Sequence, residues 1–214
     1  LMKILAGAYT ADSGQILIDG KEVHIAGPRA AENLGIGMIY QEFNLVPQLN
    51  AIDNIVLGSE PLQGMFIDER TARERAQKVC NELGFDLPLG APSSTLSVAQ
   101  LQLVEITKVL SRKACIIVMD EPSAALTDRE IDRLFAIVKT LKASGVGIIY
   151  ISHRMEELPQ IADRITVLRD GQSIETRPIA DFPTADIIHA MVGRTFDAHF
   201  PDLPPVAPDA KVVL

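Results

Sequence analysis

Two short apolar runs, Ile116 to Met119 and Ile148 to Ile151, flank a stretch with helical spacing. That arrangement restricts the chain more than any other feature. A run of four residues that is apolar throughout suits a strand covered on both faces, as in a parallel sheet. Between the runs, Thr127-Asp128-Arg129-Glu130 has the form of a capping box. Behind it Ile131, Leu134, Phe135, Val138 and Leu141 recur at helical spacing until Gly145 closes the helix. Strand, helix, strand predicts a βαβ unit whose two strands lie parallel and adjacent, with a right-handed crossover. The fold class is α/β.

The remaining elements fit around that unit. Gly35 to Tyr40 (GIGMIY) predicts a third short buried strand. Ile16-Leu17-Ile18 and Lys21-Glu22-Val23 meet at Asp19-Gly20, a strong hairpin signal, and Arg164 to Arg177 reads as a second hairpin turning at Asp170-Gly171. Residues 1–8 are mostly helix formers ending at Gly7. From about Ala51 to Arg112 the texture is helical and polar. There Ala72, Ala76, Val79, Cys80 and Leu83 form one apolar stripe, closed by Gly84. After the Pro/Gly/Ser-rich stretch Pro88 to Ser94, Ser97-Val98-Ala99-Gln100 is another capping box, opening a helix to about Leu110. Pro183 to Val192 predicts a short final helix. Pro201, Pro204, Pro205 and Pro208 make a stiff linker, followed by the apolar Lys211 to Leu214.

Charge and cysteine usage narrow the function classes. With 20 Lys+Arg against 28 Asp+Glu the chain carries −8, so no basic excess exists to neutralise a nucleic-acid backbone. A nucleotide needs only local donors and stays open. No apolar run approaches the roughly 18 residues of a bilayer span. Cys80 and Cys115 form neither a disulfide framework nor a zinc site, which points to a reducing, cytoplasmic setting.

The candidate chemistry sits where strands end, the place where ligands bind in open α/β sheets. Asp120 and Glu121 follow the first run of the βαβ unit directly. Adjacent carboxylates face different directions and can divide two tasks, one holding Mg²⁺ and the other orienting a water toward a phosphate. Ser152-His153 follows the second run and emerges on the same edge. Gln41 ends the third strand with a polar amide. Ser97 opens a helix whose N-terminal N–H groups and dipole favour an anion, so its hydroxyl must choose between capping that helix and contacting a phosphate. His24, His189 and His199 have no comparable setting and read as structural or surface groups.

In this order the residues resemble an ATP-binding-cassette (ABC) ATPase. Gly37–Leu49 (GMIYQEFNLVPQL) resembles the Q-loop and Leu96–Leu110 (LSVAQLQLVEITKVL) the signature motif. Ile116–Asp128 (IIVMDEPSAALTD) resembles Walker B with the D-loop, and Ile148–Leu158 (IIYISHRMEEL) the switch-histidine segment. The likeness covers about residues 1–200. It is nearest the tandem-domain ATPases of bacterial monosaccharide importers through Glu42-Phe43-Asn44-Leu45, Val104-Glu105-Ile106, Leu126-Thr127 and Met191-Val192-Gly193-Arg194.

The resemblance implies an ABC-type P-loop NTPase core, residues 1–44 and 114–200, interrupted by a helical subdomain, 45–113. It implies ATP and Mg²⁺ as ligands. Glu121 would be the catalytic base or water positioner, with His153 on the γ-phosphate. Asp120 and Gln41 would sit at the metal. Ser97, Val98, Ala99 and Gln100 would close on ATP held by an opposite domain, while Ala124, Ala125 and Leu126 would form the D-loop across that interface. The implied partners are a second ATPase domain in the same chain or a second copy, permease subunits and, indirectly, a periplasmic sugar-binding protein; no nucleic acid is expected. The place would be the cytoplasmic face of the inner membrane.

Two departures stand out. No G-x-x-x-x-G-K-[ST] occurs in the sequence, and Leu1–Tyr9 resembles the segment that follows that Lys-Ser/Thr pair, so a P-loop is expected upstream of Leu1. Ala99 stands where many relatives have Gly, and Leu101 where many have Gln. By the same logic Lys211 to Leu214 is expected to begin a second ATPase domain. Two rivals remain beside the importer ATPase. One is a half-site that lends its signature loop without turning over ATP itself. The other is a soluble ABC ATPase of DNA repair or translation, disfavoured by the charge and by the short spacing between Gln41 and Ser97.

Overall fold

A computed structural model describes residues 1–193. The chain runs α1 (Met2–Leu5), β1 (Ile16–Ile18), β2 (Lys21–Val23), α2 (Pro28–Asn33), β3 (Ile36–Ile39), α3 (Ala51–Val56), β4 (Leu62–Gln63), β5 (Phe66–Ile67) and α4 (Glu69–Leu83). It continues with α5 (Val98–Ser111), β6 (Ile116–Asp120), α6 (Asp128–Ala143), β7 (Gly147–Ile151), α7 (Leu158–Ile161), β8 (Arg164–Arg169), β9 (Gln172–Pro178) and α8 (Thr184–Val192). The described residues divide into two units, 1–161 and 162–193. His199, the proline-rich segment and Lys211 to Leu214 lie outside the described residues.

The first unit is built on the expected parallel sheet, in the order β3-β6-β7. Its register aligns Ile39 with Met119 and Met119 with Tyr150. Because side chains alternate across a pleated strand, β6 serves two cores. Ile117 and Met119 join Ile39, Ile106 and Val109 of α5 and the apolar stripe of α6. Val118 points into the other cluster, with Ile25, Ala31 and Ile36. All three β6 side chains are fully buried. Each such burial stabilises by about 1.5–3 kcal/mol, which is why the run had to be apolar without a break. Gly37 lets α5 approach the strand: a Cβ built on it would meet Val109 Cγ1 at 2.1 Å and Ala114 Cβ at 3.3 Å.

α3, α4 and α5 share a core of their own, in which Ile52, Ile55 and Val56 pack with Ala72, Ala76, Cys80 and Val104. The capping signals set the helix ends. Asp68 accepts from the Thr71 N–H at 3.0 Å and the Thr71 hydroxyl at 2.6 Å, and Gly84 stops α4 in the left-handed region at φ 69°. One polar side chain is sealed into this part. Asn54 is fully buried; its oxygen accepts from the Val46 N–H at 2.7 Å, and its amide donates to Val46 O (2.9 Å), Asn50 O (3.1 Å) and Ser93 Oγ (2.9 Å). It therefore fixes the connection leading from Gln41 into α3 and ties it to Ser93, four residues before Ser97.

The structure differs from expectation in the short elements. The β4–β5 hairpin is unanticipated, since two-residue strands carry no readable alternation. The helix read over residues 1–8 reduces to Met2–Leu5. Helix α2 begins at Pro28, at the position where a missing N–H is harmless, and is only six residues long.

The second unit, as described, is the β8–β9 hairpin followed by α8. It turns at Asp170 (φ 52°) and Gly171 (φ 76°), and pairs Arg164 with Pro178 through Arg169 with Gln172, with a bulge between Val167 and Leu168. Arg169 Nη1 donates to Ala190 O at 2.8 Å, fixing α8 to β8. The Arg177 guanidinium lies over the Phe182 ring at 4.9 Å.

Candidate functional site

The three parallel strands of the first unit end on one edge, and the register decides what stands there. Asp120 is the last residue of β6 and pairs with Ile151, so the residues following both strands emerge side by side. The Glu121 N–H still donates to Ile151 O, 3.0 Å away. At Glu121 the backbone turns with φ 46°, in the left-handed region. For a non-glycine residue this geometry is disfavoured by about 1–2 kcal/mol. Buried Pro122 and Ser123 follow. The turn is closed by the Ala124 N–H donating to Glu121 O (3.2 Å) and the Leu126 N–H to Ser123 O (3.1 Å), which leaves Ala124 and Ala125 exposed.

His153 reaches across from the next strand end. Its Nδ1 lies 3.0 Å from Glu121 Oε1. The Glu121 side chain is 26% exposed and that of His153 68%, so packing contributes little to the histidine's position. The segment around it is tied down instead through a buried carboxylate. Glu157 accepts at Oε2 from the Tyr150 and Ser152 hydroxyls, both at 3.0 Å, while Arg154 Nε lies 3.3 Å from Oε1. Burial pushes the Tyr150 hydroxyl well above the usual phenol range, so it remains a donor at neutral pH, and it also meets the Ser123 side chain.

Gln41 stands two residues beyond β3 and is exposed. The segment that follows it is bound to α5: the Asn44 N–H donates to Glu105 Oε1 at 3.0 Å, and Lys108 Nζ donates to Asn44 O at 3.3 Å. Burial pushes the Glu105 carboxyl up, against the opposing pull of Lys108, the Asn44 N–H and Arg112. At the other end of α5, Ser97 has made its choice. Its Oγ accepts from the Gln100 N–H at 3.3 Å and Gln100 Oε1 accepts from the Ser97 N–H at 2.9 Å, a complete capping box. Val98 is exposed, and Ala99 and Gln100 are half-buried.

Asp120, Glu121 and His153 thus meet at adjoining strand ends, with Ala124 to Leu126 joined to them through one turn. Ser97 and Gln100 are linked to each other. Sequence reasoning missed Tyr150, Glu157, Glu105 and Asn54. Only Tyr150 carried a signal, as the one hydroxyl in an otherwise aliphatic strand.

Among the described residues no group of three or more His, Cys, Asp or Glu side chains is gathered as a metal site. Asp120 and Gln41 offer oxygen donors of the type that Mg²⁺ accepts beside its own waters. Among the described residues no helix is long and apolar enough to cross a membrane.

The family model for the ABC transporter matches residues 1–124. The chain is 45% identical over its whole length to the ribose import ATP-binding protein RbsA of Hahella chejuensis, covering 43% of that protein. It is 46% identical over 94% of its length to the galactose/methyl galactoside import ATP-binding protein MglA of Escherichia coli K12, covering 40% of it. The chain spans about two-fifths of the length of these curated relatives. Among solved structures it is similar to the ADP conformation of an ATP-binding cassette of an ABC transporter (TM-score 0.71, 24% identity, 89% of this chain and 78% of that one). A dimeric cassette in a post-hydrolysis state with ADP and Pi gives a TM-score of 0.67 at 22% identity, covering 83% and 78%. These two likenesses establish the cassette fold.

Proposed function

The chain belongs to the ABC transporter family, and on that footing we propose that it is the nucleotide-binding part of a bacterial sugar importer, binding ATP and hydrolysing it to drive uptake. The observation that carries this reading is the 3.0 Å contact between Glu121 and His153 at the ends of two parallel strands. A carboxylate there can orient a water for attack on the terminal phosphate, and an exposed imidazole beside it can reach that phosphate or the same water.

The other roles follow from position. Asp120 and Gln41 would hold Mg²⁺, which when bound neutralises phosphate charge. Ser97, Val98, Ala99 and Gln100 present a helix N-terminus to an ATP held elsewhere; with the Ser97 hydroxyl already engaged as a cap, backbone N–H groups are its main donors. Ala124, Ala125 and Leu126 are exposed or half-buried, as an interface turn requires. The second ATP-binding domain they face lies in the same polypeptide or in a second copy. Residues 1–44 and 114–200 make up the ATPase core, and 45–113 the helical subdomain. Permease subunits receive the motion and a periplasmic sugar-binding protein delivers the sugar, which sets the protein on the cytoplasmic face of the inner membrane. The names of the relatives, ribose and galactose/methyl galactoside import proteins, support sugar as the cargo.

The test is made on the complete gene product. Glu121→Gln keeps the shape and removes the charge, so nucleotide binding should persist while hydrolysis falls by about 10²–10⁴-fold, the range for losing a positioned base. Turnover near that of the wild type would refute the assignment.

A further inference from the structure

His153 is the least packed member of the site, and the segment that holds it is organised around one hidden group. Its neighbours on both sides converge on Glu157: Tyr150 in β7 and Ser152 just beyond the strand donate to Oε2, and Arg154 approaches Oε1. The Arg154 N–H donates back to Ser152 Oγ at 3.0 Å, and the Glu157 N–H donates to Arg154 O at 3.2 Å, so residues 152–157 wrap round their own carboxylate. Glu157 is 1% exposed, among the most deeply buried polar side chains described. Burying a carboxylate beside a single cation gives little net stability, because desolvation offsets the attraction. What this arrangement fixes is geometry.

We propose that Glu157 is a positioning residue for ATP hydrolysis: by gathering Tyr150, Ser152 and Arg154 it sets the backbone turn that aims His153 at Glu121 and the reacting phosphate. This rests on the reading of Glu121 and His153 given above. The exposed imidazole has two restraints, its contact with Glu121 and the course of its backbone. When the substrate enters, the first must be shared or broken, and the second then decides where the ring points. Tyr150 extends the same network to Ser123, at the root of the turn bearing Ala124 to Leu126.

The experiment measures kcat and KM for ATP in the complete protein. Glu157→Gln, Tyr150→Phe and Ser152→Ala are each made alone and in a His153→Ala background. Glu157→Gln should lower kcat by about 10–100-fold, the scale of an ångström-sized misplacement. KM should stay within about twofold, since phosphate binding is not what Glu157 organises. In the His153→Ala background the same change should lower kcat less than about twofold further, because the group being positioned is gone. Tyr150→Phe should repeat the pattern at smaller amplitude. Equal fold-losses in both backgrounds, or an unchanged kcat, would overturn the proposal. Should Glu157→Gln lose its cooperative thermal transition, Tyr150→Phe and Ser152→Ala decide by the same criterion. If His153→Ala is slow while the Glu157 and Tyr150 variants turn over normally, the positioning role falls and the site reading stands. If His153→Ala itself turns over normally, both fall.

Discussion

Asn54→Asp isolates hydrogen-bond polarity from shape. The two side chains have nearly the same volume, so no cavity opens. The oxygen that accepts from the Val46 N–H at 2.7 Å is retained. What changes is the other end, where an amide facing Val46 O (2.9 Å), Asn50 O (3.1 Å) and Leu49 O (3.3 Å) becomes a carboxylate oxygen facing the same three carbonyls. The amide has two hydrogens, so two donated bonds are lost. Each stranded carbonyl is worth about 1–3 kcal/mol, and the Ser93 hydroxyl can turn to donate, so the expected loss is about 3–5 kcal/mol. Against a domain stability of about 5–15 kcal/mol this is a large shift. The sign of its pH dependence also follows. A buried carboxylate among carbonyls is protonated more readily folded than unfolded, so the native state binds the extra proton. The deficit relative to wild type should then widen as pH rises from about 4.5 to about 7.5 and shrink as it falls. Urea unfolding at both pH values, compared with wild type under the same conditions, measures it. A loss below about 1 kcal/mol, or one that does not vary with pH, would show that the network around Asn54 does not hold this connection.

Two further outcomes test the frame around the site. Gly37→Ala puts a methyl group 2.1 Å from Val109 Cγ1, so stability should fall by about 1–3 kcal/mol, and Val109→Ala in the same chain should restore part of it; additive losses would disprove the contact. Glu105 is held above its ordinary value of 4.5 by burial, so its ionisation opposes folding. That contribution is complete below the unfolded value and is lost as pH rises through the raised folded one. Glu105→Gln keeps an acceptor for the Asn44 N–H and should flatten the pH dependence of unfolding above 4.5, and an unchanged slope would refute this.

Local chemistry made most of the fold legible. Ser97 with Gln100 and Thr127 with Glu130 name the starts of two helices and Gly84 the stop of a third, and α5, α6 and α4 start or end there. The strand ends were legible because an unbroken apolar run that stops at Asp-Glu or Ser-His marks where a strand covered on both faces meets solvent. What stayed hidden depends on contacts distant in sequence. Nothing in Met155-Glu156-Glu157 tells the two glutamates apart, yet Glu156 is exposed and Glu157 is buried, accepting from the Tyr150 and Ser152 hydroxyls. Asn54 looks like any polar residue of a helical stretch until Ser93, 39 residues later, closes over it. The β4–β5 hairpin carries exposed Leu62, Met65, Phe66 and Ile67, and so has neither alternation nor burial to announce it.

The left-handed turn at Glu121 sets two selective pressures against each other at one position. Glycine, or asparagine at smaller gain, would adopt φ 46° more comfortably and stabilise the fold by about 1 kcal/mol. Either would also delete the carboxylate assigned to water. A lineage screened for thermal robustness alone should therefore drift toward those residues and fall silent, while one screened for uptake should keep the acid and the strained backbone together. The residue that does the proposed chemistry is thus the one a stability-guided redesign would replace first.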